Sequence, residues 1–131
     1  MKRIMIAVIL AAAATLGVAN PPNNDRPCVS HPAPYNLTAV GRESDEIHLQ
    51  WTPGDNTRAG FDIERSPDGI VWEHINYGYP KGHYNDTYEL QPSTTYLYRV
   101  RAHSDNPSCK AQQQYSNTAV GTTTATDPDV K

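Results

Sequence analysis

From Tyr35 to Thr124 the chain alternates apolar and polar residues with a period of two, and turn residues break the alternation at short intervals. Leu37 and Ala39 mark a first strand. Ile47, Leu49 and Trp51 alternate with Glu46, His48 and Gln50 in a second, which Thr52-Pro53-Gly54-Asp55 closes. Phe61 and Ile63 alternate with Asp62 and Glu64 in a third. Ser66-Pro67-Asp68-Gly69 then forms a tight turn into a fourth strand from Val71 to Ile75. Tyr84 to Leu90 is a short fifth. Tyr96, Tyr98, Val100 and Ala102 alternate with Leu97, Arg99 and Arg101 in a sixth, and Ser116 to Thr124 is a seventh. No helical period emerges. Each strand carries one apolar face, which only a second sheet can cover, so the pattern predicts an all-β, seven-stranded antiparallel β-sandwich.

The first 19 residues follow another rule. Lys2 and Arg3 precede an unbroken apolar run from Ile4 to Ala14, and Gly17 and Ala19 are small residues suited to cleavage after Ala19. This is the layout of a secretory signal peptide. A membrane anchor is the competing reading, but Ile4 to Ala19 falls short of the roughly 20 apolar residues that cross a bilayer. The mature protein is therefore expected to be secreted or periplasmic, with no membrane span. Residues 20–33 form a proline-rich leader, whose missing hydrogen-bond donors and fixed φ keep it out of a sheet. Residues 34–124 are the sandwich and 125–131 a polar tail.

Composition narrows the function more than it names it. The 131 residues carry 11 basic and 14 acidic side chains, a formal charge of −3. Removing residues 1–19 leaves nine basic side chains and shifts the charge to −5. A domain without basic excess is a poor match for nucleic acid.

The residues also carry a resemblance. Trp51, then Leu90-Gln91-Pro92-Ser93-Thr94-Thr95-Tyr96-Leu97-Tyr98-Arg99-Val100-Arg101-Ala102, then Tyr115-Ser116-Asn117 resemble a fibronectin type III domain. Ile63-Glu64-Arg65-Ser66-Pro67-Asp68-Gly69 and Trp72 strengthen the likeness, which runs from about Pro34 to Thr124 and is nearest the kind found beside catalytic domains in secreted bacterial proteins. The resemblance implies an immunoglobulin-like sandwich with Trp51 in the core and Tyr96 bonding back to the backbone at a structural corner. It also implies contact with a protein or polysaccharide. Two departures stand out: one extra residue between Asp86-Thr87 and Leu90, and a long loop after Ala102 that contains a cysteine.

That cysteine, Cys109, and Cys28 are the two in the chain. In the expected topology the chain enters at one pole, and the loops after the second, fourth and sixth strands return to it. Cys28 before the first strand and Cys109 after the sixth are thus expected at the same pole, where a bridge within the chain is feasible in an oxidising compartment. Pairing between chains and two free thiols are the alternatives.

Catalytic patterns are missing. His31, His48, His74, His83 and His103 show no metal-ligand spacing, so no metal and no cofactor is expected. Asp62 and Glu64 are placed to meet Arg99 and Arg101 across neighbouring strands, as a solvated charge ladder. Asp55, Asp86 and Asp105 read as turn formers. The sequons Asn36-Leu37-Thr38 and Asn85-Asp86-Thr87 read as idle. Without convergent groups in a pocket, the chain is not expected to be an enzyme.

One segment invites a binding role. Tyr77-Gly78-Tyr79-Pro80-Lys81-Gly82-His83-Tyr84 reads as a loop with three tyrosines, which stack on sugars or anchor protein partners at low entropic cost. The bland alternative makes Tyr84 core, with Tyr77 and Tyr79 covering the sandwich edge. Topology puts this loop beside Asp55 to Arg58 and the Cys109 loop. Tyr77, Tyr79, His83, Asp55 and Arg58 are therefore the candidate binding residues of an exported binding or spacer module. The rival is a structural subunit of a surface assembly that packs through a sheet edge.

Overall fold

A computed structural model describes residues 27–56 and 59–128. Seven strands form two antiparallel sheets: β1 (Tyr35–Glu43), β2 (Glu46–Thr52) and β5 (His83–Asp86) in the order β1-β2-β5, and β3 (Phe61–Ser66), β4 (Glu73–Tyr79), β6 (Thr95–Ala102) and β7 (Ala119–Thr122) in the order β4-β3-β6-β7. The alternation seen in the sequence sets the register. On β6, Tyr96, Tyr98, Val100 and Ala102 are buried while Leu97, Arg99 and Arg101 are partly covered on the outer side. Ile47, Leu49 and Trp51 from one sheet meet Phe61, Ile63, Tyr98 and Val100 from the other in a single core. Trp51 packs edge-on against Phe61 with ring centres 5.6 Å apart. The Tyr96 hydroxyl accepts from the Gln91 backbone N–H at 2.8 Å, the corner that the resemblance implied.

Where the strands stop has local causes. The β3–β4 turn is held by Ser66 Oγ, which accepts from the Asp68 and Gly69 amides, and by Asp68 Oδ1, which accepts from Ile70 and Val71. Those backbone donors also hold the Asp68 carboxyl below its usual range. Residues 67–72 are thereby kept out of the ladder, so β4 starts at Glu73 and not at Val71, and it extends through Tyr79. β5 ends at Asp86, short of Leu90. A four-residue helix, α1 (Pro107–Lys110), interrupts the β6–β7 connection, with the Asn106 side chain accepting from Ser108 N–H and Pro107 at its first position. One turn of helix is too short to show a period.

Asp86 is more than a turn former. It is fully buried and links the two sheets. Its Oδ2 accepts from Arg65 Nη1 at 2.9 Å and from the Tyr98 hydroxyl at 2.8 Å. Burial and the adjacent carboxylate push the Tyr98 hydroxyl's pKa up. Burial disfavours the charged Arg65, but the charge and hydrogen bond of Asp86, with Tyr98 and Glu73, together outweigh it and raise the guanidinium's pKa.

On the opposite side of the sandwich, β1 and β7 close against each other. Thr124 N–H donates to Glu43 O at 3.1 Å. Gly41 makes the approach possible, because a Cβ there would lie 1.8 Å from Thr122 O.

Candidate functional site

Residues 27–33, the described part of the leader, cross the N-terminal pole as a strap. Cys28 is bonded to Cys109 within the chain, closing 81 residues, as the shared pole suggested. Buried Gln113 reinforces the bridge: its Nε2 donates to Val29 O and Cys109 O, and its Oε1 accepts from His31 N–H. His31 Nδ1 lies 2.8 Å from Asp55 Oδ2, which joins the strap to the β2–β3 loop. Gly54 lets that loop approach, since a Cβ would sit 2.4 Å from Pro32 O. Strap, β2–β3 loop and α1 therefore form one connected rim. Nothing in the run Gln112-Gln113-Gln114 marks its middle member as the structural one; only the fold buries it.

The tyrosine segment is mostly strand. Tyr77 and Tyr79 lie on β4, leaving Pro80 to Gly82 as the connection to β5. Residues 77 and 79 share parity, yet they face opposite ways. One register shift against β3, between Asn76 and Tyr79, and Gly78 at φ 63° turn the strand between them. Tyr77 is exposed; its ring stacks on His74 at 4.6 Å and lies 4.5 Å from the Lys110 ammonium of α1. Tyr79 is half-buried, edge-on to Tyr84 at 5.2 Å, and both pack against the core. His83 points elsewhere, to the outer face of the three-stranded sheet, 6.2 Å from His48. Tyr77 and Asp55 thus share the rim through Lys110, the disulfide and the strap. Tyr79 and His83 do not, and Arg58 lies outside the described residues.

Beside the rim, the outer face of the four-stranded sheet holds a charged cluster. Its register is the expected one, Asp62 opposite Arg101 and Glu64 opposite Arg99. Its solvation is not: Asp62 is fully buried and Glu64 only 3% exposed. Large side chains roof the carboxylates. Arg99 Nε donates to Glu64 Oε2 at 2.6 Å, and its guanidinium lies 4.1 Å from the Trp72 ring centre and 3.8 Å from that of Tyr115. Tyr115 also lies under Arg101 at 4.7 Å and donates its hydroxyl to Glu64 Oε1 at 2.9 Å. Burial, with that hydrogen bond, pushes the Tyr115 hydroxyl up to about 12. His74 Nε2 sits 3.1 Å from the same Oε1. Asp62 meets His103 Nδ1 at 2.6 Å and has Lys110 at 3.6 Å, while His103 Nε2 meets Asp105 at 2.9 Å. Burial opposes a charged His103, but Asp105 and Asp62 outweigh it and raise its pKa. The carboxylates thus act as counterions beneath a roof, with no surface to offer a substrate. Among the described residues, no group of three or more His, Cys, Asp or Glu is placed to hold a metal, and no helix is long and apolar enough to cross a membrane.

The sandwich, its tyrosine corner and its core tryptophan coincide with a sequence match: the family model for the fibronectin type III domain covers residues 32–116. The chain belongs to the fibronectin type III family. Solved structures of low identity share the fold. An Fn3-like protein from Clostridium thermocellum is 21% identical over 76% of this chain and 99% of its own, with a TM-score of 0.60. The fibronectin type III domain of human fibronectin type III domain containing protein 3 is 17% identical over 82% of this chain and 99% of its own, at 0.59. A β-1,2-glucanase from Parabacteroides distasonis matches 75% of this fibronectin type III chain at 22% identity and 0.55, but over only 13% of its own length. A search of curated protein sequences finds no match.

Proposed function

We propose that this fibronectin type III domain is an exported, non-catalytic binding module that contacts a protein or polysaccharide partner through the rim of its N-terminal pole. The observation that carries the reading is the stapling of that rim. The disulfide, Gln113 and the His31–Asp55 contact hold three otherwise independent segments in one arrangement. Loops ordered before binding lose less entropy on contact, which favours recognition. Exposed Tyr77 supplies an aromatic anchor at the edge of the rim, and Asp55 a polar one. Export follows from the proposed signal peptide of residues 1–19, which lies outside the described residues, and agrees with a disulfide-forming compartment.

Packing through a sheet edge has less support. β4 is a bulged edge strand, β5 has four residues, and β1 and β7 close on each other. A combined glycan and peptide array with the wild-type domain and with Tyr77→Ala/Asp55→Ala protein tests the reading. Partners bound by the wild type and lost by the variant are expected. Equal binding by both proteins, or none by either, sinks the rim. Mass spectrometry of the exported protein, expected to begin at Asn20, checks the export step.

A further inference from the structure

The histidines divide into two kinds. His31, His74 and His103 face carboxylates, those of Asp55, Glu64 and Asp62 in turn. His48 and His83 face each other instead, on the outer side of the three-stranded sheet. Strand pairing brings them together: His48 lies opposite Asn85 and Gln50 opposite His83, so the two imidazoles are diagonal neighbours on β2 and β5. His48 is also oriented. Its Nδ1 lies 2.5 Å from Asn85 Oδ1. An amide oxygen only accepts, so the ring carries its proton on Nδ1 and keeps the Nε2 lone pair free. A hydrogen bond of that kind at the other ring nitrogen is how proteins aim a metal-binding histidine. His83 is exposed and makes no hydrogen bond among the described residues, so its ring nitrogens remain available. The ring centres are 6.2 Å apart, with planes 28° from parallel. Two imidazoles bound to one ion at about 2.0 Å hold their centres about 5 to 6 Å apart, so a small turn of the exposed His83 side chain closes a chelate.

The neighbours on this face decide which ion fits. Thr38, Val40 and Gln50 adjoin the pair by register, and all three are neutral. Glu46, the outward carboxylate of β2, lies on the side of His48 away from His83. Hard cations such as Ca²⁺ and Mg²⁺ need anionic oxygen ligands, whereas neutral imidazole suits the late divalent metals, with Cu²⁺ at the top of the affinity order. From this geometry we infer that His48 and His83 chelate a divalent copper ion. The ligands are Nε2 of His48 and a ring nitrogen of His83, with water in the remaining positions, and Asn85 is the positioning residue that aims His48. The pair departs from the sequence expectation of no metal because pairing across strands, and not spacing along the chain, creates it. The site lies on the outer face of the sheet opposite the charged cluster and does not depend on the rim.

Calorimetric titration of the untagged exported protein with CuCl₂, paired with electron paramagnetic resonance, tests it. Saturation at about one equivalent is expected, with a spectrum split by two imidazole nitrogens. Both histidines are on outward strand positions, so His48→Gln and His83→Gln are expected to fold and each to weaken binding at least about tenfold. Asn85→Ala is expected to lose about tenfold through misorientation of His48, and Asn85→Asp, which keeps the acceptor, to restore the affinity. His103→Gln, away from this face, is expected to leave copper affinity unchanged. Absence of saturable binding, unchanged affinity in either variant of the pair, or a two-nitrogen splitting that survives loss of His83 overturns the inference.

Discussion

Arg65 of β3 and Asp86 of β5 belong to opposite sheets and meet inside the sandwich, Nη1 to Oδ2 at 2.9 Å, with the Tyr98 hydroxyl on the same oxygen. The interior of the domain therefore has a polar latch at one end of its apolar core. Removing one partner strands the other where water does not reach. Asp86→Ala is expected to cost about 3 to 5 kcal/mol, because it leaves a buried guanidinium without its anion. Urea denaturation of wild type and variant measures it, and a loss under about 1 kcal/mol refutes the latch.

The disulfide acts outside the sheets, since Cys28 lies before β1 and Cys109 in α1. The Cys28→Ser/Cys109→Ser variant is expected to keep its β-sheet circular dichroism while losing about 2 to 4 kcal/mol of stability. A variant that no longer folds at room temperature contradicts this placement.

Gly41 admits β7 to the side of β1. Gly41→Ala drives a methyl toward Thr122 O, which would be 1.8 Å away, and is expected to cost about 1 to 3 kcal/mol through separation of the two strands. Hydrogen exchange checks the location: the Thr124 amide, donor to Glu43 O, is expected to lose protection ahead of the amides of β3 and β6.

His103, in the loop between β6 and α1, ties that loop to β3 through Asp62 and braces it through Asp105. Its pKa is raised in the folded state, so its stabilising contribution is full below the unfolded value of about 6.5 and fades as pH rises through the higher folded value. The gap in melting temperature between wild type and His103→Gln is expected to be wider near about pH 5.5 than near about pH 8.5. A gap that is constant or widens with pH contradicts the pairing.

Much of this architecture is legible in the amino-acid sequence, because strand alternation reports directly on which face is buried. Trp51 and Tyr96 fall where the resemblance put them, and the cysteines pair as strand order suggested. Even the latch left a trace: Arg65 shares parity with Phe61 and Ile63, and Asp86 with Tyr84, so opposite charges stand on inward positions. Parity failed at Tyr77 and Tyr79, because one bulge against β3 and the positive φ of Gly78 turn the strand between them.

The sequence alone determined the seven strands, the sandwich they must close into and the family, since all three follow from local alternation and short motifs. Tertiary structure alone decided how much water reaches each group. Asp62 and Glu64 sit on outward positions by parity, yet Arg99, Arg101, Trp72 and Tyr115, drawn from three separate segments, roof them over. Burial of an outward side chain depends on what distant parts of the chain lay across it, and no local pattern encodes that.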